Sequence, residues 1–177
     1  MFRHLLVPTD GSQLAEETVR QAVTMAQQAG ATITFFHAQD SPYINPEVSL
    51  FGEGMVLDPS IGEQVAQAHA AHAEQLLREA RRLAEAAGVA CDSHTTINPI
   101  IYEAILAAAR ERVCDLIVMA SHGRRGLAAL LLGSETQRVL THAAIPVLVI
   151  PSSPAAAEPG HGSAHQPAHQ PGSDPKR

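Results

Sequence analysis

The chain has 177 residues, enough for one well-buried domain and too few for two. Its 12 Lys and Arg stand against 18 Asp and Glu, a formal charge of −6, which argues against nucleic-acid or acidic-membrane partners, whose binding leans on excess basic charge. The single lysine, Lys176, sits in the extreme tail, so a Walker-type phosphate loop, which needs a lysine beside it, is excluded.

The elements follow in order. HLLVP (4–8) is a short apolar strand, stopped by Thr9-Asp10-Gly11-Ser12, a turn with helix-capping chemistry. Its opening apolar stretch is too short for a signal peptide, and no run approaches a membrane span, so a cytoplasmic protein is expected. Ala15, Val19, Ala22, Val23 and Ala26 then recur at helical spacing until Gly30. ATITFFHA (31–38), rich in β-branched and aromatic residues, reads as a buried strand. A loop over 41–62 carries Pro42, Pro46, Gly52, Gly54, Pro59 and Gly62, and a long Ala/Glu/Gln/Arg helix runs from it to about Ala87, with Gly88 as its stop. VACDSHTTI (89–97) is polar enough to lie at a sheet edge, and Asn98-Pro99 offers an N-cap and first-turn pair. The helix after it places Ile101, Ile105, Leu106 and Ala109 on one face. CDLIVMA (114–120) is strand four, a helix begins near Ser134, and AIPVLVIP (144–151) is strand five. Cys91 and Cys114 have no paired spacing and read as free thiols of a reducing compartment.

Strands alternating with helices imply right-handed crossovers and a parallel sheet covered on both faces. The expectation is a single doubly wound α/β domain over 1–151, with a five-stranded parallel sheet in the order 3-2-1-4-5. Ligands of such sheets bind beyond the carboxyl ends of the strands, where the winding reverses. The loops after strands one and four are the richest in turn and polar chemistry, which fits that order. From Ser152 the composition turns to Pro, Ala, Gly, Ser, His and Gln without apolar periodicity, so 152–177 reads as a disordered tail. Its His161, His165 and His169 would share a face only in a helix, which the surrounding Pro and Gly oppose, so no metal site is assigned there.

The strongest chemistry follows strand four. Gly123 opens a loop, nine residues (124–132) intervene, and Gly133-Ser134 start a helix. A glycine-bearing loop leading to a helix N-terminus presents backbone N–H groups suited to phosphate. Arg124 and Arg125 add positive charge in an acidic chain, and Ser134 with Gln137 forms an S-x-x-Q capping box. The Ser134 hydroxyl has two uses open to it, capping that helix or meeting a ligand. After strand one, Asp10 is either part of a plain turn or a carboxylate facing the cleft, able to accept from a ribose hydroxyl or base amine, or to hold Mg²⁺ beside a triphosphate. Ser12 with His37 or His122 lacks the G-x-S-x-G elbow, so hydrolase chemistry is set aside. His37 reads as a packing or hydrogen-bonding residue and the loop-borne His122 as the better ligand contact.

VPTDGS (7–12), FFHAQD (35–40), ASHGRRGLAALLLGSETQRVL (120–140) and IPVLVIP (145–151) together resemble the universal stress protein family, over roughly residues 1–151. Its nucleotide-binding members carry G-x2-G-x9-G-[ST] after strand four. Here Gly123, Gly133 and Ser134 match, and Ala120 stands at the first glycine, a departure that costs little if its φ is negative and weakens binding if φ must be positive. The resemblance implies ATP, with or without Mg²⁺, as ligand. Pro8, Thr9, Asp10 and Ala38 would meet adenine and ribose. Gly123, Arg124, Gly133, Ser134, Glu135 and Thr136 would hold phosphates largely through main-chain groups, with Met119, Ala120 and His122 completing the site. It also implies a homodimer through the last strand, Ile145 to Ile150, an apolar edge that would be a liability if bare. The expected function is a stress-responsive regulatory or protective factor with at most slow ATP hydrolysis. Its rivals are a nucleotide-hydrolysing or nucleotidyl-transferring enzyme, and a dimeric interaction module that has lost nucleotide.

Overall fold

The structure, a computed structural model, describes residues 1–39, 59–122 and 132–151. Gly123, Arg124, Arg125, most of the expected 41–62 loop and the 152–177 tail lie outside the described residues. The elements are β1 (His4–Pro8), α1 (Gln13–Ala29), β2 (Thr32–Gln39), α2 (Pro59–Ala86), β3 (Cys91–Ile97), α3 (Ile101–Glu111), β4 (Leu116–Ala120), α4 (Ser134–His142) and β5 (Val147–Ile150). All strand pairs are parallel and the sheet runs β3-β2-β1-β4-β5, the order expected from the sequence.

The central strands are apolar on both faces because helices cover both. Leu5, Val7, Ile33, Phe35, Leu116 and Val118 face α1 and α2, meeting Val19, Val23, Leu77 and Ala84. Leu6, Phe36, Ile117 and Met119 face the other way, against Ala104, Ile105 and Ala108 of α3 and Val139 of α4. On β3 half-buried and exposed residues largely alternate, as its polar sequence predicts for an edge strand. The carboxylate of Asp115 accepts from the Arg3 and His4 amides at 2.8 and 2.9 Å, tying the entry of β4 to that of β1. Burial alone would raise the Asp115 carboxyl, but the His4 and Arg3 amides together outweigh it and hold the group below its usual range. Cys91 and Cys114 are both free, and burial, with Asp115 beside it, pushes the Cys114 thiol up to about 11.

Several boundaries differ from the sequence expectation, each for a local reason. Pro59 and Gly62 lie within α2, not in the loop, because a proline that opens a helix has no N–H to lose. Helix α3 starts at Ile101 with Ile100 as N-cap. Asn98 spends its side chain accepting from the Ile100 amide at 2.8 Å and does not cap the helix. The expected capping box at Ser134 is not formed. Gly133 is the N-cap of α4, and Gln137 Nε2 donates to the Leu132 carbonyl at 2.9 Å. Strand β5 begins only after Pro146, whose nitrogen has no proton for a ladder.

Candidate functional site

β1 continues to β2 on one side, while β4 lies on its other side and leads to α4. The two loops diverge at the carboxyl end of the sheet, and a cleft of about 670 Å³ opens between them.

Pro8, Thr9 and Asp10 form the β1 side of this cleft. Thr9 stays joined to β2 beyond the strand: its amide donates to the Phe36 carbonyl at 2.8 Å, and its carbonyl accepts from His37 Nδ1 at 2.7 Å. A carbonyl can only accept, so His37 carries its proton on Nδ1. It is buried and does the hydrogen-bonding work its sequence position predicts. Asp10 Oδ1 accepts from the Ser12 amide at 3.0 Å, and Ser12 Oγ in turn accepts from the Ala15 amide at 3.2 Å as N-cap of α1. The carboxylate is therefore held against the turn that starts α1. Gly11 makes this turn possible at φ 75°, a left-handed backbone that L side chains avoid.

The floor is Phe36, Ala38, Met119 and Ala120. Ala120 ends β4 opposite Ile150 and is not among the residues with positive φ, so its methyl carries no backbone strain. The torsional part of the question raised by its place at the first glycine position therefore falls away. Pro99, Ile101 and Ile105 make an apolar wall along the start of α3. The sequence marks Ile101 and Ile105 as core residues only, since nothing local says that α3 lies over the carboxyl end of β2. Phe36 is missed for the same reason.

The opposite wall is His122, Gly133, Ser134, Glu135 and Thr136. The Gly133 amide donates to the Ser121 carbonyl at 2.8 Å, and Thr136 Oγ1 donates to the Ala120 carbonyl at 3.1 Å. These bonds seat the first turn of α4 on the end of β4. A Cβ on Gly133 would stand 3.2 Å from His122 Cα, so here glycine serves close backbone approach. The first amides of a helix have no intrahelical acceptor, and among the described residues no side chain caps α4. The amides of Ser134, Glu135 and Thr136 thus begin a helix at the cleft, where the dipole favours an anion. His122 Nδ1 lies 3.2 Å from Ser121 Oγ. The Glu135 side chain turns to α3, where Oε2 accepts from the Tyr102 amide at 2.9 Å.

Every site residue expected from the sequence that falls among the described residues lines this one cleft; Gly123 and Arg124 lie outside them. Among the described residues no group of three or more His, Cys, Asp or Glu is placed to hold a metal ion, and no helix is long and apolar enough to cross a membrane.

A family model described as the universal stress protein family matches residues 1–151. A universal stress protein of Thermus aquaticus is 31% identical over 150 residues, 85% of this chain and 99% of the relative. The crystal structure of a universal stress protein family member from Burkholderia pseudomallei superposes with a TM-score of 0.64 at 28% identity, over 84% of this chain and 96% of that one. Two more distant structures share the fold. One is a universal stress protein in complex with cAMP, with a TM-score of 0.60 at 24% identity over 86% of this chain and 99% of that one. The other is from Archaeoglobus fulgidus in complex with dAMP, with a TM-score of 0.54 at 20% identity over 85% of this chain and 98% of that one.

Proposed function

This chain belongs to the universal stress protein family, and we propose that it acts there as a regulatory or protective factor that binds ATP between β1 and β4. The observation that carries the proposal is the start of α4. Among the described residues no side chain caps it, it is fixed to β4 by the Gly133 and Thr136 bonds, and it lines the same cleft as Asp10. Phosphates would sit at the Gly133–Thr136 amides, with Gly123 and Arg124 on the loop before them and His122 beside them. Adenine and ribose would lie over Met119, Ala120 and Ala38, against Pro8, Thr9 and Asp10. The adenine nucleotides held by the two more distant relatives support this ligand class.

Mg²⁺ fits as a companion of the phosphates. Among the described lining residues the carboxylates are Asp10 and Glu135, and Glu135 is engaged with α3. Asp10, in the turn after β1, is the carboxylate that would share the ion with a triphosphate. In this reading ATP turnover is at most slow. The domain is residues 1–151, and two copies pair through the β5 edge, Ile145 to Ile150. That Ala120 is free of positive φ supports this reading over a module that has lost its nucleotide.

The test needs no assumed ligand: mass spectrometry of small molecules released from purified protein, with thermal unfolding in millimolar Mg·ATP. An adenine nucleotide in the released fraction and a raised melting temperature are expected. Absence of both overturns the proposal.

A further inference from the structure

Glu135 lines the cleft, but its carboxylate is committed to the neighbouring helix. Tyr102 is the second residue of α3, where an amide has no intrahelical acceptor, and α3 has no side-chain cap of its own. Asn98, the nearest candidate, is engaged with the Ile100 amide. A carboxylate 33 residues further along the chain supplies the missing acceptor, with Oε2 2.9 Å from the Tyr102 nitrogen. The same carboxylate stands in the first turn of α4, where that helix's own dipole also favours negative charge. One side chain thus serves two helix N-termini.

The joint is reinforced around it. Arg138 Nη1 lies 3.7 Å from Glu135 Oε1, its guanidinium stacks over the Tyr102 ring at 5.5 Å, and the His142 ring packs on Tyr102 at 5.3 Å. These contacts run from the cleft outward along α3 and α4 and fasten the two helices together.

The two fastened ends are chemically different walls of the cleft. The start of α3 presents Ile101 and Ile105, which are apolar; the start of α4 presents backbone amides. We infer that Glu135 is a positioning residue that sets the span between the apolar wall and the anion wall, so that the site selects ligands reaching both. The favoured class is a phosphorylated nucleoside, above a nucleoside alone; this rests on the nucleotide assignment of the preceding subsection. The Glu135 side chain does not touch phosphate in this role, whatever its amide does. Its charge is spent on the Tyr102 amide and Arg138, which keeps a carboxylate from repelling the ligand it helps to place.

Calorimetric titration of the full chain with ATP and with adenosine tests this. Glu135→Ala is expected to weaken ATP about tenfold, the scale of losing a charged hydrogen-bond acceptor, and adenosine by less than about twofold. Glu135→Gln keeps an oxygen for the Tyr102 amide and should return ATP to within about threefold of the parent. Glu135→Asp keeps the charge on a shorter arm and should behave like Glu135→Ala, which preserves the comparison if the alanine variant does not fold. Amide exchange at Tyr102, read without ligand, should quicken in the Ala and Asp variants and stay slow in the Gln variant. Equal losses for ATP and adenosine, or unchanged ATP affinity in both the Ala and Asp variants, overturn the inference alone. Parent protein that binds neither ligand overturns the nucleotide assignment and the inference with it.

Discussion

The amide of Gly133 donates to the carbonyl of Ser121 at 2.8 Å, so the start of α4 is held beside the residue that follows β4. The two backbones leave little room for a side chain, since a Cβ on Gly133 would meet His122 Cα at 3.2 Å. The φ of Gly133 is −60°, open to any residue, so the demand here is for space and not for torsion. Gly133→Ala should cost about 1 kcal/mol and Gly133→Val about 2–3 kcal/mol, as overpacking against backbone does. The valine variant should also lose the ATP-induced rise in melting temperature. A full ATP response in Gly133→Val would remove this segment from the phosphate site.

Ala120 gives the opposite expectation. Its φ is not positive and it pairs with Ile150 at the end of β4. Ala120→Gly should therefore change ATP affinity less than about twofold and lower stability by about 0.5–1 kcal/mol through added backbone entropy in the unfolded chain. A large gain in affinity would mean that the methyl obstructs the ligand.

Gly11 combines both constraints. It sits at φ 75°, and an added Cβ would fall 2.6 Å from Cδ2 of Leu76 on α2. The leucine tip can turn aside, but the torsion cannot be relieved. Gly11→Ala should lose about 1–2 kcal/mol of unfolding free energy in urea, set by the left-handed backbone. Because the turn also carries Asp10, weaker ATP binding should accompany the loss.

Asp115 predicts a pH signature. Its folded carboxyl titrates below the ordinary value of 3.8, held there by the His4 and Arg3 amides against the opposing effect of burial. A lowered folded value means that the stabilisation is complete above the unfolded value and is lost as pH falls through the folded one. Asp115→Asn should cost about 1 kcal/mol near neutral pH, a charged hydrogen bond discounted for exposure. The gap between the variant and the parent should close in acid. A gap that stays constant down to pH 2 would show that the carboxylate charge contributes nothing.

Much of this architecture is legible in the sequence because it rests on local patterns. LLV and LIVM are apolar without a break, as strands covered on both faces must be, while CDSHTTI has the polar character of an edge. The two chemistry-rich loops fall after β1 and β4, which points to neighbouring strands at the reversal of winding. What escapes the sequence is the choice among competing partners. Asn98 can cap a helix or close a turn, and the turn wins; Ser134 can cap α4, yet Gly133 takes that place. Pro59 looks like a breaker until a helix is seen to begin on it. The pairings of His37 with Thr9 and of Glu135 with Tyr102 join residues 28 and 33 apart, and no periodicity encodes them.

The outer rim of the sheet at β5 is bounded by two prolines. Pro146 precedes the strand, giving its carbonyl inward to Ile117, and Pro151 follows it, so neither offers an N–H outward. Within the proposed Ile145 to Ile150 edge, Val147–Ile150 is the stretch in strand conformation, a length of about 13 Å at strand rise. A rim that short suits one brief companion and offers little length to a cross-β stack at the more apolar of the sheet's two edges.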